Sequence, residues 1–450
     1  MGGRMKIRPL PAAILAAAVV LTAGATHPGS PDLPAPFVEA DFPHADPAEV
    51  RLGRLLFWDP VLSGNRNISC GTCHHPRFAT GDGLSLGLGE GGSGLGPERV
   101  ADAANLPEQF IPRNAPPLFN AGARQMTVMF ADGRIEVDPH RPSGLRTPME
   151  DEMLAGFDSL LSAQTMFPVL SPDEMAGHYH ENDVSMAVRR GTITGEGGAW
   201  DLIARRVALI PAYRQAFEAV YPEIGAGRGI AFTDVSNAIA AFVSFEWRSD
   251  ESPFDAALRG ESPLAGKAAE GAVLFYGEAG CGTCHSGPLL SDMAFHAMGE
   301  PQLGPGKAER FERHSRDEGR GRVTGRAEDA YAFRTPPLRN VARTGPWGHA
   351  GAHPDLREFV AYHADPAAGL PGYARDAVLP KIEMAKPVWA ALDDPDETAR
   401  IAAAATTGPA LTEGELDALM AFLDALTDEA ALSGRLGIPD SVPSGLPVDR

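Results

Sequence analysis

Cysteine is scarce in this chain. Only four occur in 450 residues, and all of them fall in two identical strings, Cys70-Gly71-Thr72-Cys73-His74 and Cys281-Gly282-Thr283-Cys284-His285. So little cysteine excludes the dense disulfide framework of small secreted domains. Positive charge is also in deficit: 39 Lys and Arg against 59 Asp and Glu leave a formal net charge of -20. That balance argues against nucleic acid or an anionic membrane as partner. Apolar runs long enough for a membrane span are absent after the N-terminal segment. Strand signals are sparse too. Glycine and proline are not: 50 Gly and 40 Pro point to helices joined by long ordered loops, a mostly α chain.

What the cysteines do spell is specific. A C-x-x-C-H run is a site of covalent c-type haem attachment. The thiols become thioethers to the macrocycle, and the His that follows is placed as proximal ligand to the iron. A thioredoxin-like redox pair or a zinc site built from all four cysteines would leave the His after both pairs unexplained. Two strings therefore imply two covalently bound haem c groups, held by Cys70, Cys73 and His74 and by Cys281, Cys284 and His285. The N-terminus agrees with this chemistry. Arg4, Lys6 and Arg8 precede an apolar stretch from Ala12 to Ala23, and Ala23-Gly24-Ala25 is an A-x-A cleavage site, so residues 1–25 read as a signal peptide. The expected compartment is the periplasm, with no membrane span after cleavage.

The chain echoes itself. Leu52-Gly53-Arg54-Leu55-Leu56-Phe57-Trp58 leads into the first haem string and Gly271-Ala272-Val273-Leu274-Phe275-Tyr276 into the second. Each reads as a helix with an aromatic end, then a loop, then C-G-T-C-H, as duplication of a small helical unit would produce. Helical periodicity predicts helices over Asp201 to Leu209, Pro211 to Val220 and Thr233 to Phe245. Thr412 and Glu415 form a capping box that opens another, running to Leu426. The boundary is expected near Glu223 to Gly229, giving domains over 26–225 and 226–450.

Several segments, in order, resemble the bacterial di-haem cytochrome c peroxidases, including the MauG-type enzymes. They are Phe57-Trp58-Asp59-Pro60 with Leu62-Ser63-Gly64, Arg113-Asn114-Ala115-Pro116, Asp132-Gly133-Arg134, and Gln164, Pro168 and Glu174-Met175. After the second haem string come Phe295-His296, Phe333-Arg334-Thr335-Pro336, Leu338-Arg339-Asn340-Val341 and Gly348-His349-Ala350-Gly351. The resemblance implies two tandem cytochrome c-like domains, a peroxide-side haem in the first and an electron-transfer haem in the second. It implies that Gln164, Pro168 and Glu174 lie over the open face of the first haem, with Glu174 as the acid/base residue for O–O cleavage. A carboxylate suits that task when burial raises its pKa toward the working pH.

In many peroxidases of the family a His after the first haem string blocks that iron until the partner haem is reduced. The loop from Gly81 to Pro97 has no His, so the first haem is expected to be open at all times. For the second haem the family's sixth-ligand position falls on His363, with Tyr362 as its neighbour and runner-up. Adjacent helical residues point about 100° apart, so only one of the two can serve. The family Trp between the haems is replaced by Ala131, after Phe130. The resemblance also implies a calcium ion at Asn114, Thr344 and Pro346.

Three functions follow in order. The first is a peroxidase reducing hydrogen peroxide with electrons from a small donor, a cytochrome c or a copper protein. The second is a MauG-type enzyme that oxidises a partner protein as its substrate. The third is a non-enzymatic di-haem electron carrier. A homodimer stays open.

Overall fold

Asp46 sets the first helix. Its side chain accepts from the backbone of Ala48 at 2.7 Å, and Pro47 fills the position where a backbone N–H has no partner to lose. The helix runs Pro47–Trp58 and buries Leu52, Leu56, Phe57 and Trp58. These pack on the Phe232–Glu246 helix in one core with Phe242 and Trp247. The two backbones touch at a glycine: a Cβ on Gly53 would stand 1.7 Å from the Ala238 carbonyl oxygen and 2.8 Å from Phe242 Cβ.

The second half repeats this. The Gly266–Tyr276 helix packs on Glu413–Asp424 around Phe254, Phe275 and Phe422. A Cβ on Gly271 would stand 1.9 Å from the Ala418 carbonyl oxygen and 2.8 Å from Phe422 Cβ. The aromatic end of each first helix then covers the glycine of its haem string, Trp58 on Gly71 and Tyr276 on Gly282. The echo in the sequence is thus an echo in packing.

The computed structural model describes residues 33–308, 312–382, 384, 387–406 and 408–450; the segment 1–25, read as a signal peptide, lies outside them. The chain is mostly helical, as expected. Predicted helices recur as Ala199–Ala208, Pro211–Val220 and Phe232–Glu246. The Thr412 capping box is formed: Glu415 accepts from the Thr412 backbone at 2.7 Å and Thr412 accepts from the Glu415 backbone at 3.4 Å. Strands among the described residues are two or three residues long. Among the described residues no helix is long and apolar enough to cross a membrane.

Two features bear on the halves. The Phe232–Glu246 helix belongs to the first core although it follows residue 225. Residues 436–449 also return to the first half. Glu246 accepts from the backbone of Leu436 and Gly437 at 2.7 Å each, Ser444 donates to Asp59 at 2.6 Å, and Thr72 donates to Asp449 at 2.5 Å.

Candidate active site

Both haem strings form a short helical turn, Cys70–Cys73 and Cys281–Thr283, and in both the following His is held the same way. His74 Nδ1 lies 3.0 Å from the Thr80 carbonyl and His285 Nδ1 lies 3.0 Å from the Leu290 carbonyl. A carbonyl can only accept, so Nδ1 carries the proton and Nε2 is left as a lone-pair donor for iron. Thr80 and Leu290 both sit in the left-handed region, with φ of 66° and 54°. That is an uncommon conformation for residues with side chains, repeated where each carbonyl must turn back. All four cysteines are unpaired, as haem attachment requires.

The second string offers a direct test of fit. The rings of His285 and His363 face each other with centres 6.3 Å apart. Imidazole–metal bonds of about 2.0–2.1 Å place two rings on opposite sides of one metal with centres roughly 6 Å apart. Tyr362 is engaged elsewhere: its hydroxyl donates to the Gly299 carbonyl at 2.5 Å, within a cluster of Tyr331, Leu370 and Ile401. Of the two neighbours, the one facing His285 is His363.

On the first side, Glu174 lies in a π-helical turn, Pro172–Ala176, whose backbone N–H groups converge on the Ser171 carbonyl. Such turns are wider than an α-helix and recur at functional sites. The turn is pinned by the glycine-rich loop. The Glu90 backbone donates to the Asp173 carbonyl at 3.0 Å. A Cβ on Gly89 would stand 2.7 Å from Glu174 Cα, so only glycine permits this approach. Buried Arg99 ties the loop by donating to the carbonyls of Leu88, Gly89, Gly92 and Gly94. The Glu90 carboxylate gathers the amides of Asn65, Asn67 and Asn105 at 2.9–3.0 Å, joining the loop to the segment before Cys70.

Burial pushes the Glu174 carboxyl up, while Lys307 and Arg134 pull it down. Burial pushes the Cys73 thiol up to about 12, and the charges of Asp82, Glu174 and Asp449 add to that rise against the opposing pull of Arg99. Gln164 ends the Leu160–Gln164 helix, and Pro168 opens the turn Pro168–Leu170, which packs on the π-helical turn. The structure therefore brings Pro168 and Glu174 into adjoining turns. His75 stays away from them, with its ring edge-on to Trp58 at 5.5 Å and its Nδ1 accepting from the Arg77 backbone at 3.1 Å.

Lys307 is a residue that motif reading missed. It comes from the second half, in a loop without a signature, and its ammonium lies among Arg134, Arg113, Asp132 and Glu174. Burial and the two guanidiniums lower its pKa to about 8.

Between the halves runs an ionic seam. Arg113 contacts Asp132 at 2.7 Å and Asp317 at 2.8 Å, and Arg134 contacts Asp132 at 3.0 Å. At the position of the missing Trp, the Ala131 carbonyl accepts from the Arg334 backbone at 2.8 Å, and the Arg134 guanidinium lies 4.3 Å from the Phe130 ring centre. Phe333 stacks on His349 at 3.9 Å. Asn114 also bridges the halves: its backbone donates to the His349 carbonyl at 3.0 Å and its amide to the Leu84 carbonyl at 2.6 Å. That commitment leaves Oδ1 as the atom a hard cation would use. Thr344 and Pro346 lie in the segment entering Trp347, whose indole donates to the Val341 carbonyl at 2.9 Å. Among the described residues the compact His/Cys/Asp/Glu grouping is Cys284, Asp292 and His296, and Cys284 is one of the two thiols of the second haem string.

The family model for di-haem cytochrome c peroxidases matches residues 47–263. The methylamine utilization protein MauG of Methylorubrum extorquens is 30% identical over 320 residues, covering 70% of this chain and 69% of that protein. The cytochrome c551 peroxidase of Pseudomonas aeruginosa is 28% identical over 310 residues, covering 69% and 70%. A crystal structure of a MauG-like protein associated with microbial copper homeostasis superimposes with a TM-score of 0.55 at 25% identity, covering 89% of this chain and 95% of that one. Paired haem strings, proximal histidines held alike and relatives of both kinds lead to one conclusion: the chain belongs to the di-haem cytochrome c peroxidase family and is an oxidoreductase.

Proposed function

We propose that this protein is a periplasmic peroxidase that converts hydrogen peroxide, two protons and two electrons into two waters, with the electrons supplied by a small cytochrome or copper protein. When bound, a pair of c-type haems supplies the iron that polarises peroxide and the redox centres that carry the electrons. Cys70, Cys73 and His74 would hold the peroxide-side haem, and Cys281, Cys284, His285 and His363 the electron-side one. Glu174 takes the proton from the inner peroxide oxygen and returns it to the departing outer oxygen. Its raised pKa suits a group that must both accept and release a proton. Lys307 keeps a useful fraction ionised by opposing that rise. Gln164 orients peroxide by hydrogen bonding, and Pro168 offers no ligand to the iron.

The observation that carries this reading is the π-helical turn that presents Glu174, braced by the Gly89–Glu90 loop on one side and by the turn at Pro168 on the other. Two haem domains fit the repeated helix pairs, with the division drawn after Glu246 rather than at 225, because the Phe232–Glu246 helix packs in the first core. Calcium on Asn114, Thr344 and Pro346 would tie the halves.

A MauG-type oxidation of a partner protein is the second reading. It is favoured by the lack of a His in the Gly81 to Pro97 loop. Peroxide added to the resting ferric protein separates the two. Rapid oxidation of a reduced small cytochrome supports the peroxidase. A long-lived oxidised state with no donor turnover supports the second reading, and no reaction with peroxide refutes both.

A further inference from the structure

Four buried polar atoms without a hydrogen-bond partner belong to residues that meet beside the second haem string: Glu300 Oε2, His363 Nδ1, His353 Nε2 and His349 Nδ1. Glu300 is their centre. Its Oε1 lies 3.7 Å from His363 Nδ1 and its Oε2 lies 3.7 Å from His353 Nε2, with the carboxylate side chain 8% exposed. His349 adds a third imidazole to its electrostatic surroundings. Among the described residues no lysine or arginine pairs with Glu300. A carboxylate this deep is costly without compensating donors, and the donors on hand are imidazole N–H groups. Space for it comes from the turn at Gly348, φ 89°, where a Cβ would stand 2.8 Å from Glu300 Oε2.

The two rings that face each other across the second site are thus backed differently. His285 Nδ1 is held by a neutral backbone carbonyl, that of Leu290. His363 Nδ1 is backed by a buried carboxylate. A carboxylate behind a ligating His fixes its tautomer, orients its ring and raises its basicity.

We propose that Glu300 is a positioning residue for the electron-side haem: it takes the Nδ1–H of His363, turns Nε2 toward the iron and lends the ring anionic character. The proposal rests on His363 being the sixth ligand. Closing the gap to hydrogen-bond length requires a movement of about 0.8 Å. An anionic ligand stabilises ferric over ferrous iron, so Glu300 holds this haem at a lower potential than two neutral imidazoles would. This is a chemical route by which a His-ligated centre gains the donor strength of an anionic ligand such as a phenolate, in a chain whose neighbouring Tyr362 is committed to Gly299.

The test uses the haem-loaded protein. Spectroelectrochemical titration and low-temperature EPR are recorded for the wild type, Glu300→Gln and Glu300→Asp. In Glu300→Gln the low-spin signal persists, its g-anisotropy changes, and the potential of the second haem moves positive while that of the first stays put. Glu300→Asp, which keeps the charge, returns the potential toward the wild-type value. An unchanged potential and g-tensor in Glu300→Gln, with His363 still bound, overturns the proposal. If Glu300→Gln fails to load haem, Glu300→Ala is read in the same way: a positive shift of the second haem's potential with His363 still bound supports the role, and an unchanged potential and g-tensor overturns it. A wild-type second haem that is already high-spin refutes the ligand assignment beneath the proposal, and the proposal with it.

Discussion

Gly53 rests directly on the backbone of Ala238, and Gly271 rests in the same way on Ala418. In both pairs the aromatic residue four positions further on, Phe242 or Phe422, closes over the crossing. The duplication is most exact where no side chain is present at all. Gly53→Ala and Gly271→Ala would each force a methyl group into a carbonyl. Each should cost roughly 2–4 kcal/mol through overpacking, read as a lowered denaturation midpoint with both haems attached. Because the crossings lie in separate cores, the two costs should add.

Glu174→Gln removes the proton carrier without changing its size. Peroxidase turnover should fall on the order of 10²–10⁴-fold while both haems stay attached. The pH profile has a fixed sign. Burial raises the Glu174 pKa above the usual carboxylate range, and the ionised form is the one that accepts the peroxide proton. The rate should therefore decline as pH falls through that raised pKa. The acid limb should be missing from the profile of Glu174→Gln.

His363→Ala should convert the second haem from low to high spin, seen in the absorption and EPR of the ferric protein. Tyr362→Phe should leave the spin state unchanged, because the Tyr362 hydroxyl serves Gly299. The reverse pattern would reassign the ligand.

Asp317→Asn would remove the carboxylate that meets Arg113 from the second half, leaving Arg113 with Asp132 of its own half. Removing one partner from a buried pair should cost about 3–5 kcal/mol. Arg113 holds the Asp317 carboxyl well below its ordinary range, against the opposing effect of burial. The sign follows: this contribution is present above the unfolded carboxyl pKa of about 3.9 and is lost as pH falls from there toward the folded value. Acid titration of stability should show a flatter decline in the variant.

Much of the chemistry could be read from the chain because it is local. A haem-attachment string needs its two thiols and its imidazole within five residues, and the capping box at Thr412 needs only four. The fitness of Glu174 was legible only through resemblance, since nothing in Pro172 to Ala176 announces a π-helical turn. What set its environment came from far along the sequence: the Gly89 approach, the Arg99 clasp and Lys307 from the other half. Glu300 was invisible for the same reason, because its meaning lies in three histidines 49 to 63 positions later. The boundary expected near Glu223 to Gly229 falls just before the Phe232–Glu246 helix, and that helix packs in the first core through contacts distant in sequence.

The segment 436–449 closes over the first haem string, with Asp449 on Thr72 and Ser444 on Asp59. Synthesis from the amino end makes Cys70 and Cys73 long before this cover. The turn that carries the two thiols therefore lacks this seal until residues 436–449 arrive. Cutting out the first half as a transplantable module would leave that seal behind.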